Sequence, residues 1–213
     1  MIDLILFDLD GVLVDSEPIS TRVLMGMLAT VGLPMGAEAT ERQFMGRSRA
    51  ESVVWIEQQI GRAVPEYFLD HWQQQVFEAF RRDLKPVPGI EAALDQLTIP
   101  SCVASGSDPA RIQLSLELAG LLPRFAGRVF SATQVARGKP APDLFLFAAR
   151  SLGAAPERCV VVEDSLPGVQ AGVAAGMTVL GYAARNSAAV LAQAGAATFT
   201  DMARLPELIT HLL

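Results

Sequence analysis

The apolar run Cys159-Val160-Val161-Val162 ends abruptly in two acids, Glu163 and Asp164, and Ile2 to Phe7 ends in the same way at Asp8. Short, unbroken apolar runs mark strands buried on both faces, as in a parallel sheet covered by helices. Weaker runs of this kind occur at Ser101 to Ala104, Arg128 to Ser131, Met177 to Gly181 and Ala197 to Phe199. Helical patterns separate them, at Ile90 to Leu97, Pro109 to Leu118, Asp143 to Leu152, Pro167 to Ala175 and Ser187 to Ala194. Gly120, Gly153 and Gly176 close three of these patterns, where a left-handed residue suits a helix end. Strands alternating with helices predict an α/β fold built on a doubly wound parallel sheet.

One block breaks the alternation. Between Asp15 and Leu84 no run suggests a strand. Ile19, Val23, Leu24, Met27, Leu28 and Val31 instead recur at helical spacing up to Gly32, and further helical patterns cover Ala50 to Ile60 and Tyr67 to Phe80. The expected organisation is a core made of residues 1–14 and 85–213, with a helical domain of residues 15–84 inserted straight after the first strand. Lys85-Pro86-Val87-Pro88-Gly89 has the composition of a stiff return hinge. His71 and Trp72 are expected to pack a helix of the insertion.

Composition narrows the function classes. A net charge of −6 argues against a nucleic-acid surface and against docking on an anionic membrane, but leaves room for a small anionic substrate at a local positive site. No apolar run approaches the length of a membrane span, and Asp3, Asp8 and Asp10 interrupt the first apolar stretch, which is not a signal peptide. Cys102 and Cys159 lie in or beside buried-strand patterns and are expected to be reduced packing residues. A cytoplasmic monomer is the expectation.

Four places could carry chemistry. Asp8 and Asp10 sit just past a buried strand, two apart and so facing one side, before Gly11, which lets the chain turn. The crevice at the carboxyl ends of parallel strands is where ligands bind, although a pair of acids also suits capping a turn. Ser105 ends the second strand, and Gly106 exposes a backbone N–H suited to a phosphate oxygen. The same stretch also fits an ordinary entry to a helix, with Asp108 as N-cap and Pro109 at the first helical position. Lys139 stands between Gly138 and Pro140, and only it and Lys85 are lysine among the 17 basic residues. A compact ammonium where the chain otherwise uses arginine suggests a point charge, against the alternative of a solvated loop residue. Glu163 and Asp164, at the mouth of a very apolar strand, need pairing, solvation or a metal, unless they cap the helix that follows.

Taken in chain order, Asp8-Leu9-Asp10-Gly11-Val12-Leu13-Val14-Asp15-Ser16-Glu17, then Ser105, then Lys139-Pro140-Ala141-Pro142-Asp143, then Val162-Glu163-Asp164-Ser165, resemble the motifs of the haloacid dehalogenase superfamily from Asp3 to about Tyr182. The resemblance implies a Rossmann-like core with an inserted helical cap. It implies that Asp8 attacks phosphorus to form an aspartyl-phosphate and that Asp10 acts as acid and then base. Ser105, the Gly106 N–H and Lys139 would hold the phosphate. Mg2+ would be held by Asp8, Asp164 and the backbone carbonyl of Asp10, with Glu163 binding it directly or through water. Electrostatics point the same way: like charges 4 Å apart repel by about 4 kcal/mol at an effective dielectric near 20. A single lysine cannot offset several carboxylates and a phosphate dianion.

Caps of this kind place a substrate-selecting loop over the active site, here the segment Gly46-Arg47-Ser48-Arg49. Its arginines could grip an anionic group or sugar hydroxyls, or could simply be surface partners of Glu41 and Glu51. The beta-phosphoglucomutase branch of the superfamily is the rival reading. It places a histidine where this chain has Ser20 and uses a cap lysine, whereas residues 15–84 contain no lysine. The stretch Ile99 to Leu121 resembles phosphatases of the 6-phosphogluconate type. The expected partner is therefore a small phosphate ester, a sugar or sugar-acid phosphate.

Overall fold

A computed structural model describes residues 2–44 and 49–212, and the chain divides into two compact units. One comprises Met1–Asp15 and Lys85–Leu213, the other Ser16–Leu84. The first is built on a sheet of six strands: β1 (Leu4–Phe7), β2 (Ser101–Ser105), β3 (Val129–Ser131), β4 (Cys159–Glu163), β5 (Thr178–Tyr182) and β6 (Ala197–Phe199). All neighbouring pairs are parallel, in the order β3-β2-β1-β4-β5-β6. This is the doubly wound, Rossmann-like order, which reverses direction between β1 and β4.

The second unit holds helices α1 (Glu17–Thr30), α2 (Ala37–Phe44), α3 (Arg49–Ile60) and α4 (Phe68–Asp83). Leu24, Met27 and Leu28 of α1 and Phe68, Trp72, Val76 and Phe80 of α4 are buried at helical spacing, and Arg22 pairs with Asp83. Trp72 is buried as expected, but His71 is exposed, with its ring against Tyr67. One step along a helix turns a side chain by about 100°, which here carries His71 off the stripe that Phe68, Trp72 and Val76 share. The polar helix α2, with only Thr40 and Phe44 buried, escapes the sequence pattern for want of apolar residues.

In the sheet unit, α5 (Ile90–Gln96), α6 (Pro109–Leu118), α7 (Asp143–Ser151), α8 (Leu166–Ala174), α9 (Ala188–Gln193) and α10 (Leu205–Thr210) alternate with the strands. Side chains of successive strand residues point to opposite faces. Leu4, Leu6, Cys102, Ala104, Cys159 and Val161 therefore pack with Leu144, Phe145, Val169 and Leu191 from α7, α8 and α9. Ile5, Phe7, Val103, Val160 and Val162, also fully buried, project to the other face, where the Phe7 ring lies edge-on to Phe125 at 6.2 Å. Burying each such side chain contributes roughly 1.5–3 kcal/mol, which is why unbroken apolar runs end up here. Both cysteines are buried and free. Asp15 belongs with the sheet unit: its N–H donates to the Lys85 carbonyl at 3.0 Å and its carboxylate pairs with Arg185 at 2.9 Å. Among the described residues, no helix is long and apolar enough to cross a membrane.

Candidate active site

The first acids leave the sheet where β1 lies between β2 and β4. The Asp8 N–H donates to the Val162 carbonyl at 3.0 Å, extending the β1–β4 ladder by one residue and fixing the Asp8 backbone. The chain then doubles back. Leu13 and Val14 both donate to the Leu9 carbonyl, and the Gly11 N–H donates to Val14 at 2.9 Å. Gly11 is required twice over. Its φ of +81° is the left-handed region, and a Cβ there would meet an Asp164 carboxylate oxygen at 2.1 Å. The absent side chain lets the turn after β1 press against the acid after β4.

Lys139 links the two strand ends. Its ammonium donates to Asp8 Oδ1 at 2.5 Å and to Glu163 Oε1 at 2.7 Å, and lies 4.9 Å from the centre of the Phe145 ring. The other Glu163 oxygen accepts from the Ser165 N–H at 2.8 Å and hydroxyl at 2.9 Å. Glu163 is fully buried, and a Cβ on Gly168 would fall 1.7 Å from its Oε1, so the carboxylate fills a space that only glycine leaves. Ser165 caps α8, accepting from the Gly168 N–H at 3.1 Å. The cap is thus the serine, which leaves Glu163 and Asp164 to the site. Asp164 is buried, with its carbonyl accepting from Asn186 Nδ2 at 2.8 Å.

Burial lifts the Asp8 carboxyl from its ordinary 3.8 to about 7; Lys139 pulls against this, while Glu163 and Asp10 push the same way. For Lys139 burial works downward, but Asp8 and Glu163 outweigh it and hold the ammonium above its ordinary value. Among the described residues, Asp8, Glu163 and Asp164 form a group whose ligand atoms lie within 4.8 Å of one another. Buried carboxylate oxygens are the donors that Mg2+ or Ca2+ prefers, and with no thiol or imidazole in the set they suit a hard cation.

Asp10 is held separately. Its Oδ1 accepts from Arg111 Nη2 at 2.8 Å and its Oδ2 from the Ser107 hydroxyl at 2.8 Å. Ser105, at the end of β2, is buried, and its hydroxyl accepts from the Ser107 N–H at 3.1 Å. Gly106 is exposed, with open space where a side chain would be. Asp108 caps α6 by accepting from the Arg111 N–H at 2.9 Å, with Pro109 at the start of the helix, which is the helix entry expected of this stretch.

The structure thus brings Asp8, Lys139, Glu163 and Asp164 into one cluster and puts Asp10 and Ser105 at the neighbouring strand ends. Arg49 belongs to the helical unit, where it donates to Gln73 at 2.7 Å, and Gly46, Arg47 and Ser48 fall outside the described residues. Ser107, Arg111 and Asn186 were not singled out from sequence. Each is polar and follows a strand end, yet nothing local marks it as a partner of a distant acid.

Fold and site together define an α/β protein with an acidic, cation-suited centre at the reversal point of a parallel sheet. The family model for haloacid dehalogenase-like hydrolases matches residues 2–176. The 6-phosphogluconate phosphatase of Escherichia coli (strain K12) is 31% identical over 97% of this chain and 94% of its own length. A conserved haloacid dehalogenase-like protein of Agrobacterium tumefaciens str. C58, whose crystal structure is known, superposes with a TM-score of 0.87 at 36% identity, over 100% of this chain and 99% of its own. A hydrolase of Deinococcus radiodurans R1, crystallised with phosphate and sodium bound, gives 0.82 at 35% identity, over 99% and 96% of the two chains. The chain belongs to the haloacid dehalogenase-like hydrolases.

Proposed function

We propose that the protein is a magnesium-dependent phosphatase that hydrolyses a small sugar or sugar-acid phosphate, of the 6-phosphogluconate kind, with Asp8 as nucleophile. The observation that carries this reading is the Lys139 ammonium bridging Asp8 and Glu163 beside Asp164. Phosphoryl transfer asks little of a protein beyond positioning and charge stabilisation. A carboxylate that attacks a phosphate dianion needs a permanent cation next to it, and Lys139 supplies one. In the reaction, an Asp8 oxygen bonds to phosphorus as the ester P–O bond breaks, and Asp10 gives its proton to the departing alkoxide. Asp10 then takes a proton from the water that attacks the aspartyl-phosphate, and inorganic phosphate leaves. Ser105 and the Gly106 N–H hold the transferring group.

Asp8 and Asp164, with the Asp10 backbone carbonyl, would hold Mg2+, whose charge offsets the excess of carboxylate when it is bound. Glu163, with one oxygen on Lys139 and the other on Ser165, serves to hold the lysine. Residues 16–84 act as the substrate-selecting cap, with Gly46, Arg47, Ser48 and Arg49 as its specificity segment. The phosphatase name of the Escherichia coli relative and the phosphate in the Deinococcus structure support the reading. Ser20 and the lysine-free insertion argue against the mutase alternative.

A panel of sugar phosphates, sugar-acid phosphates and nucleotides, assayed for released phosphate with Mg2+ and with a chelator, tests it. Turnover of one sugar class, lost on chelation and in Asp8→Asn, is the expected result. Bisphosphate-dependent interconversion of a hexose 1-phosphate and 6-phosphate would overturn it in favour of a mutase, and substantial activity in Asp8→Asn would remove the nucleophile.

A further inference from the structure

We propose that Arg111 is a positioning residue for Asp10: with Ser107 it fixes the plane of the carboxylate that passes protons to and from the reacting oxygens. The inference rests on the reading of Asp10 as acid and base given above.

The geometry leading to it is built in layers. The backbone of Asp10 is pinned by the turn after β1, where it forms a bridge with Val14. That leaves the side-chain torsions, and both oxygens are gripped by the segment that follows β2. Arg111 Nη2 reaches Oδ1 and the Ser107 hydroxyl reaches Oδ2, both at 2.8 Å. Each gripping residue is itself fixed. The Ser107 N–H donates to the Ser105 hydroxyl at 3.1 Å, and its carbonyl accepts from the Ser131 hydroxyl at 2.7 Å. Arg111 sits in the first turn of α6, whose start is set by Pro109 and by the Asp108 cap. The planar guanidinium fork is pre-organised, so arginine loses less freedom per hydrogen bond than a lysine would.

Burial distinguishes this pair from a surface ion pair. The Arg111 side chain is 13% exposed and the Asp10 side chain 24%, against 58% and 32% for Arg22 and Asp83. Exposed pairs of the latter kind contribute little, whereas a largely buried, geometrically fixed pair holds its members in place. Asp10 remains more open than Asp8, whose side chain is 11% exposed, which suits a group that must reach both an ester oxygen and a water. A proton donor misplaced by an ångström forfeits much of its effect, because transfer needs hydrogen-bond distance in the transition state. Arg111 is therefore where the β2–α6 junction sets the aim of Asp10.

The test uses the full chain with Mg2+ and two aryl phosphates differing only in leaving group, phenyl phosphate and 4-nitrophenyl phosphate. Phenol, of pKa about 10, needs a proton on departure far more than the acidic nitrophenol does. The value of kcat/KM, which reports the step that forms the aspartyl-phosphate, is measured for Asp10→Asn, Arg111→Met, Arg111→Lys and Ser107→Ala. Asp10→Asn should lose phenyl phosphate turnover selectively. Arg111→Met should shift the phenyl-to-nitrophenyl ratio the same way, on the order of tenfold, with Arg111→Lys recovering part and Ser107→Ala showing a smaller shift. Equal losses on both substrates in Arg111→Met would overturn the inference, since a structural or phosphate-binding role acts on both alike. If Arg111→Met does not fold, Arg111→Lys and Ser107→Ala decide by the same ratio. If Asp10→Asn itself shows no selectivity, the acid–base reading of Asp10 fails, a result distinct from failure of the Arg111 inference alone.

Discussion

Replacing Asp8 by asparagine is expected to stabilise the protein in the absence of metal while removing its activity. The carboxyl is raised from 3.8 to about 7 by burial and by the acids beside it. Each tenfold change in that ionisation equilibrium is worth about 1.4 kcal/mol, so ionising Asp8 in the metal-free fold costs about 4 kcal/mol at most. The sign follows from linkage. A group whose folded value lies above its unfolded value contributes stability that is complete below pH 4 and is lost as pH rises through about 7. Asparagine keeps the shape and cannot ionise, so it escapes that loss. The remaining partner of Lys139, Glu163, still holds the ammonium.

The assay is thermal unfolding of wild type and Asp8→Asn in a chelating buffer at steps from pH 4 to pH 9. For a chain of this size 1 kcal/mol moves the melting temperature by roughly 2–4 °C. Even half the full effect therefore separates the proteins by about 4–8 °C above pH 7, with the gap closing towards pH 4. Adding Mg2+ should raise the wild type more than the variant, because the variant lacks a proposed ligand. A gap independent of pH, or a variant less stable than wild type at pH 8, would refute the electrostatic account of the cluster.

Gly168→Ala should destabilise the fold by about 1–3 kcal/mol or more, because its Cβ would lie 1.7 Å from Glu163 Oε1 and force the carboxylate off Lys139; an unchanged melting temperature would contradict the packing described. Cys102 and Cys159, buried and pushed up to about 12 and about 11, should resist alkylation at pH 8 in the native state and react only on unfolding, as mass spectrometry would show. Inorganic phosphate should bind measurably by calorimetry with Mg2+ present and much more weakly in chelator; equal affinity in the two buffers would argue against a cation at the acid cluster.

The strands and the fold class were legible because a strand buried on both faces leaves an uninterrupted apolar run, and Val160 to Val162 admit little else. Their ends moved by a residue or two, as at Glu163, which proves to be the last residue of β4. The Asp108 cap was legible too, since a cap bonds three residues along. What escaped was long-range or weakly patterned. Arg111 meets Asp10 across 101 positions, and a polar residue in a first helical turn looks the same with or without such a partner. Helix α10 opens with Leu205-Pro206 and is too short to show a period. The adjacency of Glu163 and Asp8 follows only once β4 is known to lie beside β1, and Lys139 reaches both from the loop before α7.

The pairing of charges explains why the site needs help before it can take a substrate. Asp10 is matched by Arg111, and Glu163 by Lys139, so each contributes little net charge. Asp8 shares Lys139 with Glu163, and Asp164 lies beside them with its carbonyl accepting from Asn186. Three carboxylates thus offer ligand atoms within 4.8 Å of one another around a single lysine among the described contacts. A divalent cation relieves such crowding, whereas a phosphate dianion arriving first would face repulsion of about 4 kcal/mol for each unit pair at 4 Å. Without the cation the cluster relieves itself by protonating Asp8, which is the direction of its raised pKa and would disarm Asp8 in its proposed role as nucleophile. Cation binding and an ionised Asp8 are thus linked in the proposed reaction, and the same crowding of carboxylates that would favour a metal would keep phosphate out before the metal binds.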